Sequence, residues 1–158
     1  MEFELGRAIA SGIVGAAAMT MVTAMGASMM GMKMDMPMTL GTMLLPPGKQ
    51  AWTLGLMLHL MMGAVFFVAY AALFRGLGLD SGIVGWSALF GAIHAIVAGM
   101  AFGMMPAMHP RMTTEPATHQ NAIPAPGIMG LNMGTMAPMA IVLAHVVFGV
   151  VAGAIYAA

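Results

Sequence analysis

Long apolar blocks separated by short polar ones set the pattern of this chain. The first block runs from about Ala8 to Met30, the second from Ala51 to Phe74, the third from Gly82 to Met105, and the fourth from near Thr135 to Ala158. No Asp, Glu, Lys or Arg falls inside any of them. Each block is long enough to cross a bilayer core as a helix, which takes about 20 residues. Helix is the form expected there, because a spanning segment must satisfy its own backbone groups. Between the blocks lie Lys33 to Gln50, Arg75 to Ser81 and Pro106 to Gly134. The last carries Pro106, Pro110, Pro116, Pro124 and Pro126, which predict irregular rather than helical backbone. Glu2 and Glu4 precede the first block against a single Arg7, unlike the positive start of a signal peptide, so a retained helix is expected.

Composition agrees with the pattern. Hydrophobic residues make up 61% of the 158 and charged residues 6%, whereas a water-soluble domain carries about 25% charged residues. The expected fold is therefore an all-α integral membrane protein, a four-transmembrane-helix bundle forming one membrane domain over residues 1–158, with the lipid bilayer as its main partner. Zero net charge leaves no basic footprint for nucleic acid. The absence of cysteine removes disulfides, thiolate metal sites and thiol nucleophiles together. An even number of spans puts both termini on one side. Arg7 and Arg75 against Lys33, Lys49 and Arg111 do not say which side that is.

The chain also echoes itself. Ser11-Gly12-Ile13-Val14-Gly15 returns unchanged as Ser81-Gly82-Ile83-Val84-Gly85. His59 to Ala72 lies over His145 to Ala158 with His, Gly, Val, Tyr and two Ala in common, and the pairing takes in the only tyrosines, Tyr70 and Tyr156. Gly41-Thr42-Met43 and Gly134-Thr135-Met136 approach the two segments alike. These matches predict two parallel two-helix repeats, residues 8–74 and 78–158, related by an axis along the membrane normal.

Three histidines lie inside the apolar blocks. His59 and His145 would share one depth through the repeat, and His94, counted from Met105, would lie about 16 Å below the same surface. Imidazole in hydrocarbon needs a partner. The candidates are a neighbouring helix, a metal held by His59, His94 and His145, or a cofactor held by His59 and His145. Helix three also carries Ser87, Gly91, Ala95, Gly99 and Gly103 at four-residue steps, a spacing that lets another backbone approach closely. Tyr70 and Tyr156 are expected in the aromatic belt at the far interface.

Methionine occurs 23 times. Many of these stand where leucine would serve, as Met57, Met61, Met62 and Met139 do. Around Met32, Met34, Met36 and Met38, however, methionine alternates with polar or helix-breaking residues, and Met25 and Met29 extend the series back into helix one. Thioether and imidazole together suit Cu(I) better than zinc or magnesium. Over these seven residues the run resembles the methionine motifs of copper transporters and periplasmic copper chaperones. The resemblance implies Cu(I) as cofactor or cargo.

Three functions are consistent with these residues. One is binding or transfer of Cu(I) by the methionine run and the histidine layer. Another is a non-catalytic accessory or scaffold subunit, working in a larger membrane complex or as a homo-oligomer. The third is a haem b protein with His59 and His145 as axial ligands, an arrangement that resembles the bis-histidine four-helix membrane cytochromes. Gly63 and Gly149, four residues on from the two histidines, would leave room for a porphyrin face. No residue pattern points to an enzyme, and His109 and His119 are expected as solvated loop residues.

Overall fold

The computed structural model describes residues 3–31, 35–113 and 121–158. Its backbone is mostly helical: α1 (Leu5–Met30), α2 (Met36–Gly41), α3 (Lys49–Gly76), α4 (Ile83–Met108), the two-residue strands β1 (Met112–Thr113) and β2 (Ile123–Pro124), a 3-10 segment (Ile128–Met133), and α5 (Ala137–Ala157). Four of the helices are long and apolar enough to cross a membrane: Leu5–Met29 of α1, then α3, α4 and α5. They begin or end a few residues from the apolar blocks because Arg7, Lys49 and Arg75 fit on terminal turns, where a long side chain reaches out of the apolar layer. Glu4 pairs with Arg7 at 3.3 Å at the start of α1.

Two compact units divide the chain. The first takes Met1–Val22, Leu60–Ala95 and Val142–Ala158, and so holds parts of all four long helices. Its core is aromatic and alanine-rich, with Phe67, Phe74, Phe148, Tyr70 and Tyr156 buried among Ala8, Ala16, Ala71 and Ala152. Small residues let the helices meet backbone to backbone. On α1 and α3, Gly12 and Gly63 face each other so closely that each occupies the space a Cβ would need on the other. On α4 and α5 the carbonyl of Ser87 fills that space at Gly149, and the carbonyl of His145 fills it at Gly91. Without such contacts, apolar helices in lipid would have little reason to choose one another.

Helix directions in this unit follow from paired contacts. Phe66 and Tyr70 of α3 meet His94 of α4, and Phe74 meets Phe90. Gly149 and Gly153 of α5 meet Ser87, and His145 meets Gly91. Both α3 and α5 are thus antiparallel to α4 and run the same way as each other. The matching pentapeptides do not occupy matching places. Ser11 to Gly15 lies well inside α1, whereas Ser81 and Gly82 precede α4. Gly12 stands against Gly63 where Ser87 stands against Gly149, so the packing register differs from the pentapeptide register by more than a helical turn. A small residue is what each crossing needs, and glycine-rich helices meet that need at several registers.

The second unit takes Thr23–His59 and Ile96–Ile141. Gly31, in a left-handed conformation at φ 65°, follows the last residue of α1 and stops it. Asp35 then opens α2, its Oδ1 accepting a 2.9 Å hydrogen bond from the Met38 N–H, with Pro37 in the first turn. The short helix lies flat on the start of α3: the carbonyl of Pro37 takes the Cβ space of Gly55, and the carbonyl of Ala51 that of Gly41. Pro106 falls inside α4 rather than beyond it. Only the final turn follows it, so the missing N–H costs one helix bond. Among the described residues, the rest of the connection is irregular, as its prolines predict, apart from the parallel pairing of β1 with β2 and the 3-10 segment.

Candidate functional site: an imidazole pair and a phenol between helices

The first unit brings together polar side chains from three helices. Tyr70 on α3 is buried, and its hydroxyl is 3.1 Å from Nδ1 of His94 on α4. The His94 ring in turn lies against the ring of His145 on α5, with centroids 4.9 Å apart and planes at 71°. Phe66 covers the other flank of His94 at 4.2 Å. Tyr70 is itself packed among Phe67, Phe90 and Phe148, at 5.8, 5.5 and 5.9 Å. The hydrogen bond and the aromatic wall leave the His94 ring little rotational freedom.

Sequence register explains the meeting. Gly91 lets the α5 backbone come down on α4 at His145, and His94 follows Gly91 by three residues, beside the same face. The four-residue ladder of α4 is a packing face throughout. Ser87 and Gly91 receive α5, Ala95 is fully buried, and Gly99 and Gly103 receive Met129 and Ile128 of the connection. Tyr70 and Tyr156 are both buried between helices rather than exposed on the outer surface. Their partners differ, since the Tyr156 hydroxyl accepts from the Glu4 N–H at 3.2 Å. Nothing in the spacing showed that Tyr70 faces His94, because three separate helices contribute to the cluster.

The remaining predicted ligands are distributed differently. His59 is buried in the second unit. Met25 and Met29 are 60% and 79% exposed on α1. Met36 and Met38 are half-buried on α2, a separate helix from α1, which stops at Gly31. Met32 and Met34 lie outside the described residues, as does His119. Among the described residues, no group of three His, Asp or Glu side chains is placed to hold a metal ion. Gly63 and Gly149 are covered by the backbones of Gly12 and Ser87, which leaves no space for a porphyrin face at either.

His109 departs from the solvated-loop expectation. It is 4% exposed and fully engaged: Nδ1 accepts from the Arg111 N–H at 3.2 Å, which puts the proton on Nε2. Nε2 then donates to the Thr39 carbonyl at 2.9 Å, with Thr42 Oγ1 at 3.3 Å. The Arg111 guanidinium adds a 2.8 Å bond to the Thr42 carbonyl. This network ties the C-terminal end of α2 to the turn that follows α4 and has the character of a structural clasp. No protein-family model, curated protein or solved structure matches this chain.

Proposed function

We propose that the chain is a non-catalytic, multi-pass membrane protein whose His94 and His145 form an intramembrane ligand pair for Cu(I). The observation that carries the reading is the contact of these two rings, with Tyr70 holding the first of them. A histidine that binds a metal through one nitrogen commonly has its other nitrogen fixed by a hydrogen bond, and Tyr70 supplies such a bond at Nδ1. Rings 4.9 Å apart are close enough for two nitrogens to stand about 4 Å from each other across an ion. No carboxylate lies in the helical spans, so a hard cation such as magnesium or calcium has nothing to bind there. Structural zinc asks for four ligands, while Cu(I) accepts fewer and favours soft or imidazole donors. Of the other predicted ligands, His59, Met25, Met29, Met36 and Met38 belong to the second unit, and Met32 and Met34 lie outside the described residues.

A four-helix bundle with both termini on one side is part of the same proposal, supported by the contact of Glu4 with Tyr156. The common direction of α3 and α5 supports a parallel repeat, though in a different register from the pentapeptides. The second reading is an accessory subunit in which the cluster only holds helices together. It is favoured by the Tyr70 bond, which already gives His94 a partner.

Titration of the detergent-purified protein with Cu(I) against a chromophoric chelator separates the two. The ligand-pair reading expects one tightly held ion per chain, lost in His94→Leu and in His145→Leu and retained in Met25→Leu/Met29→Leu. An absence of binding, or binding indifferent to both histidines, leaves the accessory reading in its place.

A further inference from the structure

We infer that the stretch Ala125 to Met133, before α5, is a re-entrant segment, inserted into the bilayer alongside α4, with Ile128 and Leu131 in contact with lipid acyl chains. The inference rests on the membrane-spanning reading of α4 but concerns a stretch too short and too irregular to span. The contacts that place it lie within the second unit. Met129 Sδ takes the Cβ space of Gly99, and the Ile128 side chain takes that of Gly103. Gly99 is nine residues back from Met108, so the chain returns about 13 Å along α4 before α5 begins. A helix of 26 residues is about 39 Å long against a core of about 30 Å. Even if all of that excess lay at this end, Met129 would stand about 4 Å inside the hydrocarbon.

The segment is built for that position. No Asp, Glu, Lys or Arg follows Glu115 anywhere in the chain. Irregular backbone at membrane depth must satisfy its polar groups within the protein, and several are satisfied locally. Gly130 N–H donates to the Gly127 carbonyl at 3.0 Å, Asn132 N–H to that of Pro126 at 3.0 Å, and Asn132 Nδ2 to that of Ala125 at 3.1 Å. Met129 itself adopts a left-handed conformation, φ 53°, unusual for a side-chain-bearing residue, and this turns the chain back toward α5. Gly130 then rests on Ala137 and Ile141 of α5. One face remains uncovered: Ile128 is 61% exposed and Leu131 59%. Methionines are exposed as well on the two helices it packs against, Met100, Met104 and Met108 on α4 and Met139 on α5. A lipid-facing surface that includes both helices therefore includes the turn between them.

The absence of cysteine makes the test direct. Single spin labels at Ile128→Cys, Leu131→Cys, Ile96→Cys and Asn121→Cys, in protein reconstituted into phosphatidylcholine vesicles, report collisions with oxygen, which concentrates in lipid, and with a water-soluble nickel chelate. The first two labels should resemble Ile96→Cys, several-fold richer in oxygen collisions than Asn121→Cys. Nickel-dominated collisions at both, with Ile96→Cys still oxygen-dominated, would overturn the re-entrant segment alone, and so would low collision with either agent. Nickel-dominated collisions at Ile96→Cys would overturn the membrane reading beneath it.

Discussion

Replacing Tyr70 by Phe removes one hydroxyl and keeps the ring in its contacts with Phe67, Phe90 and Phe148. What is lost is the 3.1 Å bond to His94. Side-chain hydrogen bonds between membrane helices average about 0.6 kcal/mol and reach about 1.7. A well-placed bond between two enclosed rings belongs in the upper part of that range, so Tyr70→Phe should destabilise by about 1 kcal/mol. Truncating His94 to Leu costs more, because it also disturbs the contacts with Phe66 and His145. A double-mutant cycle separates these terms, since the ring contacts are lost equally in both arms. Unfolding in mixed detergent micelles, followed by tryptophan fluorescence, should give a coupling of about 0.6–1.7 kcal/mol. Equal cost of Tyr70→Phe in the parent and in His94→Leu would refute the reasoning, whatever the stability of either single variant.

Gly149→Val should destabilise by about 2–3 kcal/mol in the same assay, because the Ser87 carbonyl beside it is backbone and cannot rotate away; a neutral result would mean that the α4–α5 crossing is looser than described. The Ser87 hydroxyl is buried with no hydrogen-bond partner among the described residues, so Ser87→Ala should be neutral or stabilise by up to about 1 kcal/mol, and a clear loss would show an unrecognised partner. His109→Ala should cost about 1–3 kcal/mol by leaving the Arg111 N–H without its acceptor. It should also raise proteolysis between α2 and α3, and an unchanged cleavage pattern would contradict the clasp.

Some of this molecule is written along single helices and some only between them. The four long apolar helices are legible because hydrocarbon excludes charge, and every charged residue stands outside the apolar blocks. The α4 ladder is legible for a similar reason: small residues at four-residue steps have one common use in lipid. Stops written in one residue, such as Gly31, separate α1 from α2, and the capping Asp35 beside a proline turns part of the methionine run into a short helix. Met25 and Met29 stand in the sequence as an extension of the same run, because periodicity does not register the left-handed Gly31 between them and Met36. The meeting of Tyr70 with His94 depends on where three helices cross, and no spacing within one helix encodes that. His109 looked solvated because it follows a helix end among prolines, and its acceptor comes from Thr39, far away in sequence.

The most direct test of the imidazole pair is X-ray absorption at the copper edge on reconstituted protein loaded with one equivalent of Cu(I). The account predicts a low-coordinate Cu(I) with imidazole nitrogens at ~2 Å and the outer-shell scattering of two rings, reduced to one ring in His145→Leu. A first shell dominated by thioether sulfur, unchanged in His94→Leu and His145→Leu, would contradict it.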